Sequence, residues 1–105
     1  MTRQQMLLTQ LMEECNEVSQ RCSKAIRFGL HEKQVEQEET NAERIVYELQ
    51  DLVAVANMIY TGQGNETLYT SLDEDMFHLK ERKVEKYLDY SKTLGIMDAE
   101  IQDVS

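Results

Sequence analysis

An all-α fold is predicted by three observations: the 105-residue chain contains no proline, it has only four glycines, and its apolar residues recur at alternating spacings of 3 and 4. Nothing interrupts the long periodic stretches, and helix-favouring Glu, Gln, Leu, Met and Lys fill them. A chain this short supports one hydrophobic core, because two would each be too small to fold unaided. Residues 1–105 are therefore expected to form a single helical domain. The 41% apolar content against 30% charged residues fits a folded chain rather than a disordered one.

The first helix is predicted from Gln5 to Phe28, with Leu8, Leu11, Cys15, Val18, Cys22 and Ala25 as its packed seam and Gly29 as its stop. Leu30 to Glu39 is polar and aperiodic, so it reads as a loop. Thr40-Asn41-Ala42-Glu43 fits a capping box, in which the Thr40 hydroxyl and the Glu43 carboxylate each satisfy an orphan amide. The second helix then runs to about Thr61 and ends at Gly62 and Gly64. A further capping box, Ser71-Leu72-Asp73-Glu74, opens a third helix that carries Met76, Phe77, Leu79, Val84, Tyr87 and Leu88 to about Leu94, with room for one break. The tail, 96–105, is too short and polar for an element of its own, and either docks through Ile96 and Ile101 or frays.

Charge and hydropathy narrow the function classes. Eleven basic against twenty acidic residues give a net charge of −9, which repels a nucleic-acid backbone. The longest apolar run, Leu52 to Ala56, is far too short to span a membrane, and Met1-Thr2-Arg3-Gln4-Gln5 leads into no signal-peptide core. A cytoplasmic protein is expected, with no nucleic-acid or membrane partner. Cys15 and Cys22 lie too far apart along one helix to bond to each other and read as small core residues.

The chemistry is expected on helices 1 and 2. Leu52 to Tyr60 is apolar nearly all round, which marks a central, buried helix, yet Glu48 and Asp51 stand at its entrance. At 100° per residue they fall about 60° apart on one face, with Val55 and Met58 continuing that stripe. Helix 1 carries Glu13-Glu14-Cys15-Asn16-Glu17, where Glu14 and Glu17 flank the seam, Arg21 and Lys24 lie farther along the same stripe, and Glu13 points elsewhere. In so acidic a chain such strings usually form a solvated face, and Glu48 and Asp51 have Arg44, Arg21 or Lys24 as ready ion-pair partners. The conjunction favours more than that. Both pairs use an i, i+3 spacing, both lie beside apolar seams, and one begins the most hydrophobic helix. Glu14, Glu17, Glu48 and Asp51 are hard oxygen donors of the kind Mg²⁺, or alternatively Mn²⁺, selects. An anionic substrate would need such cations to approach this protein at all.

Glu13-Glu14-Cys15-Asn16-Glu17 followed by Glu48-Leu49-Gln50-Asp51 resembles the EExxE…ExxD signature of the MazG-like, all-α nucleoside triphosphate pyrophosphohydrolases. Residues 18 to 47 between the two parts exceed the family's usual spacing and imply a longer inter-helix loop. Ser23-Lys24-Ala25-Ile26-Arg27-Phe28-Gly29-Leu30 and Lys83-Val84-Glu85-Lys86-Tyr87-Leu88 are similar to small single-domain members from phages and bacteria, so the likeness spans roughly residues 7 to 95. It implies cleavage of the α–β phosphate bond of a nucleoside triphosphate, giving monophosphate and pyrophosphate. Glu14, Glu17, Glu48 and Asp51 would then be metal ligands, with Glu17 also orienting the attacking water and Glu13 behind it. Lys24, and Lys83 from helix 3, would meet the β or γ phosphate, and Asn41 in the capping box would face the nucleotide. A phosphoribosyl-ATP substrate is a weaker alternative within the same fold.

Other polar residues read as structural. Asn57 is expected to be a hydrogen-bonded core amide, Arg27 to serve packing or a partner subunit, and His31 and His78 to have no metal role. Three helices cannot cover so apolar a second helix, so the bundle is expected to be completed by self-association. The family resemblance implies a homodimer or homotetramer with the nucleotide near the subunit boundary. The competing reading is a non-catalytic dimerisation, nucleotide-binding or protein-binding module built on the same bundle.

Overall fold

The computed structural model describes residues 1–98. They form three α-helices, α1 (Arg3–Phe28), α2 (Asn41–Thr61) and α3 (Glu74–Thr93), with a 3₁₀ turn at Leu68–Ser71. The class is all-α, and no helix among the described residues is long and apolar enough to cross a membrane. The described residues divide into two compact units, residues 1–70 and residues 71–98.

In the first unit α1 and α2 form an antiparallel hairpin. Gly29 at the end of α1 meets Asn41 at the start of α2, while Arg3, Gln4 and Leu7 share a groove with Met58, Ile59, Gly62 and Gln63 at the opposite end. α1 begins earlier than periodicity predicts because Thr2 and Gln5 form a capping box of their own: the Thr2 hydroxyl accepts from the Gln5 amide and the Gln5 side chain accepts from the Thr2 amide. Gly29 ends the helix at φ +97°, a conformation that side chains with a Cβ resist. The expected box at the start of α2 is present, with Glu43 N donating to Thr40 Oγ1 at 3.1 Å and Thr40 N to Glu43 Oε1 at 3.1 Å.

The loop between the helices is pinned rather than loose. Asn41 N donates to Glu32 O and Ala42 N to Leu30 O, both at 2.9 Å, and Lys33 bridges to Thr40. Asn41 is the most enclosed described residue, 1% exposed, and its Nδ2 donates to Gly29 O at 2.8 Å. One side chain thus ties the exit of α1 to the entrance of α2.

Three of the six expected seam positions of α1 hold, Leu11, Val18 and Ala25, and the other three are displaced by one residue. Its inward positions are Leu7, Leu11, Glu14, Val18, Arg21 and Ala25, whereas Leu8, Cys15 and Cys22 are exposed. The two free cysteines are accordingly surface residues of this chain, not core. Counting apolar residues misplaces the seam because two of its six positions are charged, and a neighbouring apolar stripe outscores it. On α2 the matching stripe is Ile45, Glu48, Leu52, Val55 and Ile59, all half-buried. No residue from Leu52 to Tyr60 is fully buried, and Met58 remains 42% exposed. α2 is thus a half-buried helix rather than the expected central, buried one: within this unit α1 packs on it and leaves Leu52, Val53, Val55, Ala56, Ile59 and Tyr60 partly covered. Asn57 does act as a structural amide, its Oδ1 accepting from Leu68 N at 2.8 Å.

In the second unit α3 is continuous, without the allowed break, and its cap differs from expectation. Asp73, not Ser71, is the N-cap, its Oδ1 accepting from Asp75 N at 2.9 Å and Met76 N at 3.2 Å. Ser71 is instead the last residue of the 3₁₀ turn. His78 is flanked by Glu74 at 3.6 Å and Glu81 at 2.8 Å on the surface. Ile96 is 74% exposed and does not dock; Ile101 lies outside the described residues.

Candidate functional site

Three carboxylates meet midway along the hairpin. Glu14 projects from the seam of α1, and Glu48 and Asp51 project one helical step apart from α2. Each offers an oxygen within 4.8 Å of the others. Glu48 occupies a seam position, so its side chain is only 16% exposed. Burial pushes its carboxyl above the usual range, the charges of Glu17, Asp51 and Glu14 push the same way, and Arg21 opposes them. Glu14 is further held by Gln10, whose Nε2 donates to Oε1 at 2.9 Å.

Glu17 is exposed and lies outside the group of three, although its charge reaches Glu48. It borders the cluster on the solvent side, one helical step past Glu14. Lys24 is half-buried on α1, and Lys83 is an exposed residue of α3 in the second unit. Asn41 stands about 10 Å along α2 from Glu48 at 1.5 Å per residue, enclosed and bonded to Gly29. The first amides of α2 are spent on Glu32 O, Leu30 O and Thr40 Oγ1, so this helix start does not present the free N–H groups that bind phosphate elsewhere.

Of the three basic residues expected to compete for the carboxylates, Arg21 is the one that pairs with Glu48, with Nε 3.8 Å from Oε1. Arg44 turns to the loop, donating to Gln34 Oε1 at 3.4 Å. Arg21 is as enclosed as Glu48, and its Nη1 is buried without a hydrogen-bond partner. The sequence offers Arg21 as one of three ion-pair partners for Glu48 and Asp51 without favouring it over Arg44 or Lys24. The available signal was its spacing, seven residues after Glu14 on a seam that returns to the same face every seventh position.

Carboxylates from two helices, none of them pre-committed to a strong bidentate partner, form a donor set that suits a hard divalent ion. Histidine and cysteine are missing from the group, so softer metals have no preferred ligand there. Compared with protein-family models, curated proteins and solved structures, the chain matches none.

Proposed function

We propose that this chain is a metal-dependent nucleoside triphosphate pyrophosphohydrolase of the MazG-like kind, converting (d)NTP to (d)NMP and pyrophosphate. The observation that carries the reading is the meeting of Glu14 with Glu48 and Asp51, within 4.8 Å, which joins the two halves of an EExxE…ExxD pattern that are far apart in sequence. A divalent ion held there, Mg²⁺ or Mn²⁺, would shield the phosphates, polarise the α-phosphorus and lower the pKa of a bound water. Glu14, Glu48 and Asp51 hold the ion, and Glu17 completes the set from the solvent side.

In this reading Glu17 also accepts the proton of the attacking water. The water oxygen bonds to the α-phosphorus, the bridging α–β oxygen bond breaks in line with it, and pyrophosphate leaves with the electron pair. Lys24 gives the leaving phosphates a point charge. The apolar faces left open by one chain, including Met12 at 68% and Ile26 at 85% exposure on α1 and Val46 at 50% on α2, support a homodimer or homotetramer. Light scattering should then give at least twice the chain mass.

The Arg21–Glu48 pair favours a second reading, because it compensates one carboxylate without any ion. In that case the hairpin is a non-catalytic dimerisation or binding module. Pyrophosphate release from a panel of canonical and modified (d)NTPs, with Mg²⁺, with Mn²⁺ and with EDTA, separates the two. Release that requires the metal supports the enzyme, and no release from any triphosphate leaves the module.

A further inference from the structure

The seam between α1 and α2 holds a cation in a place where a helix pair normally puts an aliphatic residue. Arg21 is 16% exposed, lies 3.8 Å from Glu48, and keeps a buried Nη1 with no acceptor. Neither contact is good. An Nε–Oε1 separation of 3.8 Å is too long for a hydrogen bond, and an enclosed guanidinium nitrogen without a partner is costly. A guanidinium selected only to brace two helices would be expected to bond bidentately, as arginine–carboxylate pairs commonly do. What this arrangement does supply is positive charge, beside three carboxylates that repel one another.

We infer that Arg21 is the built-in counter-ion of the carboxylate cluster: it provides in the metal-free chain the positive charge that a divalent cation provides in the loaded one, so that Arg21 and the cation oppose each other. The inference rests on the cation site of the proposed function and adds a regulation to it. A fixed charge of +1 beside Glu48 lowers the affinity of the cluster for a +2 ion, and its removal raises that affinity. The same charge stabilises the empty cluster, where it offsets the repulsion among Glu14, Glu48, Asp51 and Glu17. Metal affinity and metal-free stability are thus traded against each other through one side chain. The arrangement would keep the two helices paired when the ion is absent and keep occupancy responsive to the free cation concentration.

The test is a calorimetric titration of the purified full chain with Mn²⁺ and with Mg²⁺, together with thermal unfolding with and without each ion, for the wild type, R21M and R21K. R21M keeps the length and apolar stem and leaves no orphaned donor in the seam, whereas R21K keeps the charge. The expected result is a dissociation constant about tenfold lower in R21M, close to the wild-type value in R21K, and a larger metal-induced rise in melting temperature for R21M than for either. If R21M is unfolded without metal, the cation should refold it. Equal losses of melting temperature with and without metal, an unchanged or weaker affinity in R21M, or an unfolded R21M that the cation does not rescue would each overturn the inference alone. A wild type that binds neither ion would overturn the cation site as well, and is told apart by that result.

Discussion

Asn41→Ala is the substitution for which the structure gives the sharpest expectation. Asn41 is 1% exposed and donates from Nδ2 to Gly29 O at 2.8 Å, the link that closes the hairpin. Alanine removes a hydrogen bond worth about 1 kcal/mol and leaves the Gly29 carbonyl without that donor, at a further cost of about 1–3 kcal/mol if water cannot replace it. Part of this is returned, because Asn41 Oδ1 is itself buried without a partner and its deletion relieves that penalty. The net loss should be about 2 kcal/mol, which corresponds to roughly 8–16 °C in melting temperature for a unit of this size. Asn41→Asp is the companion variant. It keeps the shape but sets a carboxylate against a carbonyl in an enclosed position, and should destabilise more than alanine does, although the start of α2 offsets ~0.5 kcal/mol of it. Circular dichroism melts and urea titrations of the two variants measure these values. A drop of less than about 3 °C for Asn41→Ala, combined with a large rise in KM for a triphosphate, would refute the structural role and return Asn41 to the nucleotide.

Thr40→Ala should cost about 1 kcal/mol through loss of the cap. Its bonds to Glu43 hold that carboxyl below its usual range, so the stabilisation belongs to the ionised form: it is complete above the unfolded-state value and fades as the pH falls through the folded one. Alanine keeps the Thr40 amide, which contributes most to that lowering, so the pH test is Glu43→Gln: its deficit against wild type should narrow in melts taken on the acid side of the carboxylate range, and a constant deficit would contradict the box. Asp51→Asn should lower turnover at least about 10³-fold, a barrier increase of about 4 kcal/mol, while the metal-free chain melts no lower, because a charge that repels Glu48 is gone. Retention of most activity would dismiss the carboxylate cluster as the catalytic centre. Lys24→Ala should raise the KM for a triphosphate more than it alters metal affinity, with Lys33→Ala in the loop as the control; equal effects from the two would make Lys24 an ordinary surface residue.

Much of the fold is legible in the sequence because local rules decide it. The Thr40–Glu43 box, the glycine stops at Gly29 and Gly62 and the unbroken period of α2 each follow from residues within one turn of the feature they determine. The Thr2–Gln5 box is equally local and follows the same rule. Asp73 as the cap of α3 is harder, since Ser71 and Asp73 are both good caps, and the choice falls to the residue that does not belong to the preceding 3₁₀ turn. The extent of burial could not be read this way. An apolar circumference on α2 says how much surface needs cover but not whether the cover comes from the same chain.

The partly displaced seam of α1 makes the same point about the site. Hydrophobic periodicity assumes that the inward face is apolar, so it favours Leu8, Cys15 and Cys22 over Glu14 and Arg21. Yet the inward face of α1 carries an acid and a base seven residues apart, and the inward face of α2 answers with Glu48. An ion pair replaced by well-packed aliphatic residues usually gains stability, so three charges on a two-helix seam weaken a hairpin that has little core to spare. Among the described residues Ala25 is its only buried apolar one. Local rules conflict with the fold at Glu14, Arg21 and Glu48, and such conflicts are expected where a sequence serves chemistry rather than packing. The alternation of 3 and 4 that runs through Leu7, Leu11, Glu14, Val18, Arg21 and Ala25 is visible in the sequence once charged residues are allowed into the seam, and doing so brings Arg21 beside the carboxylates without any knowledge of the structure.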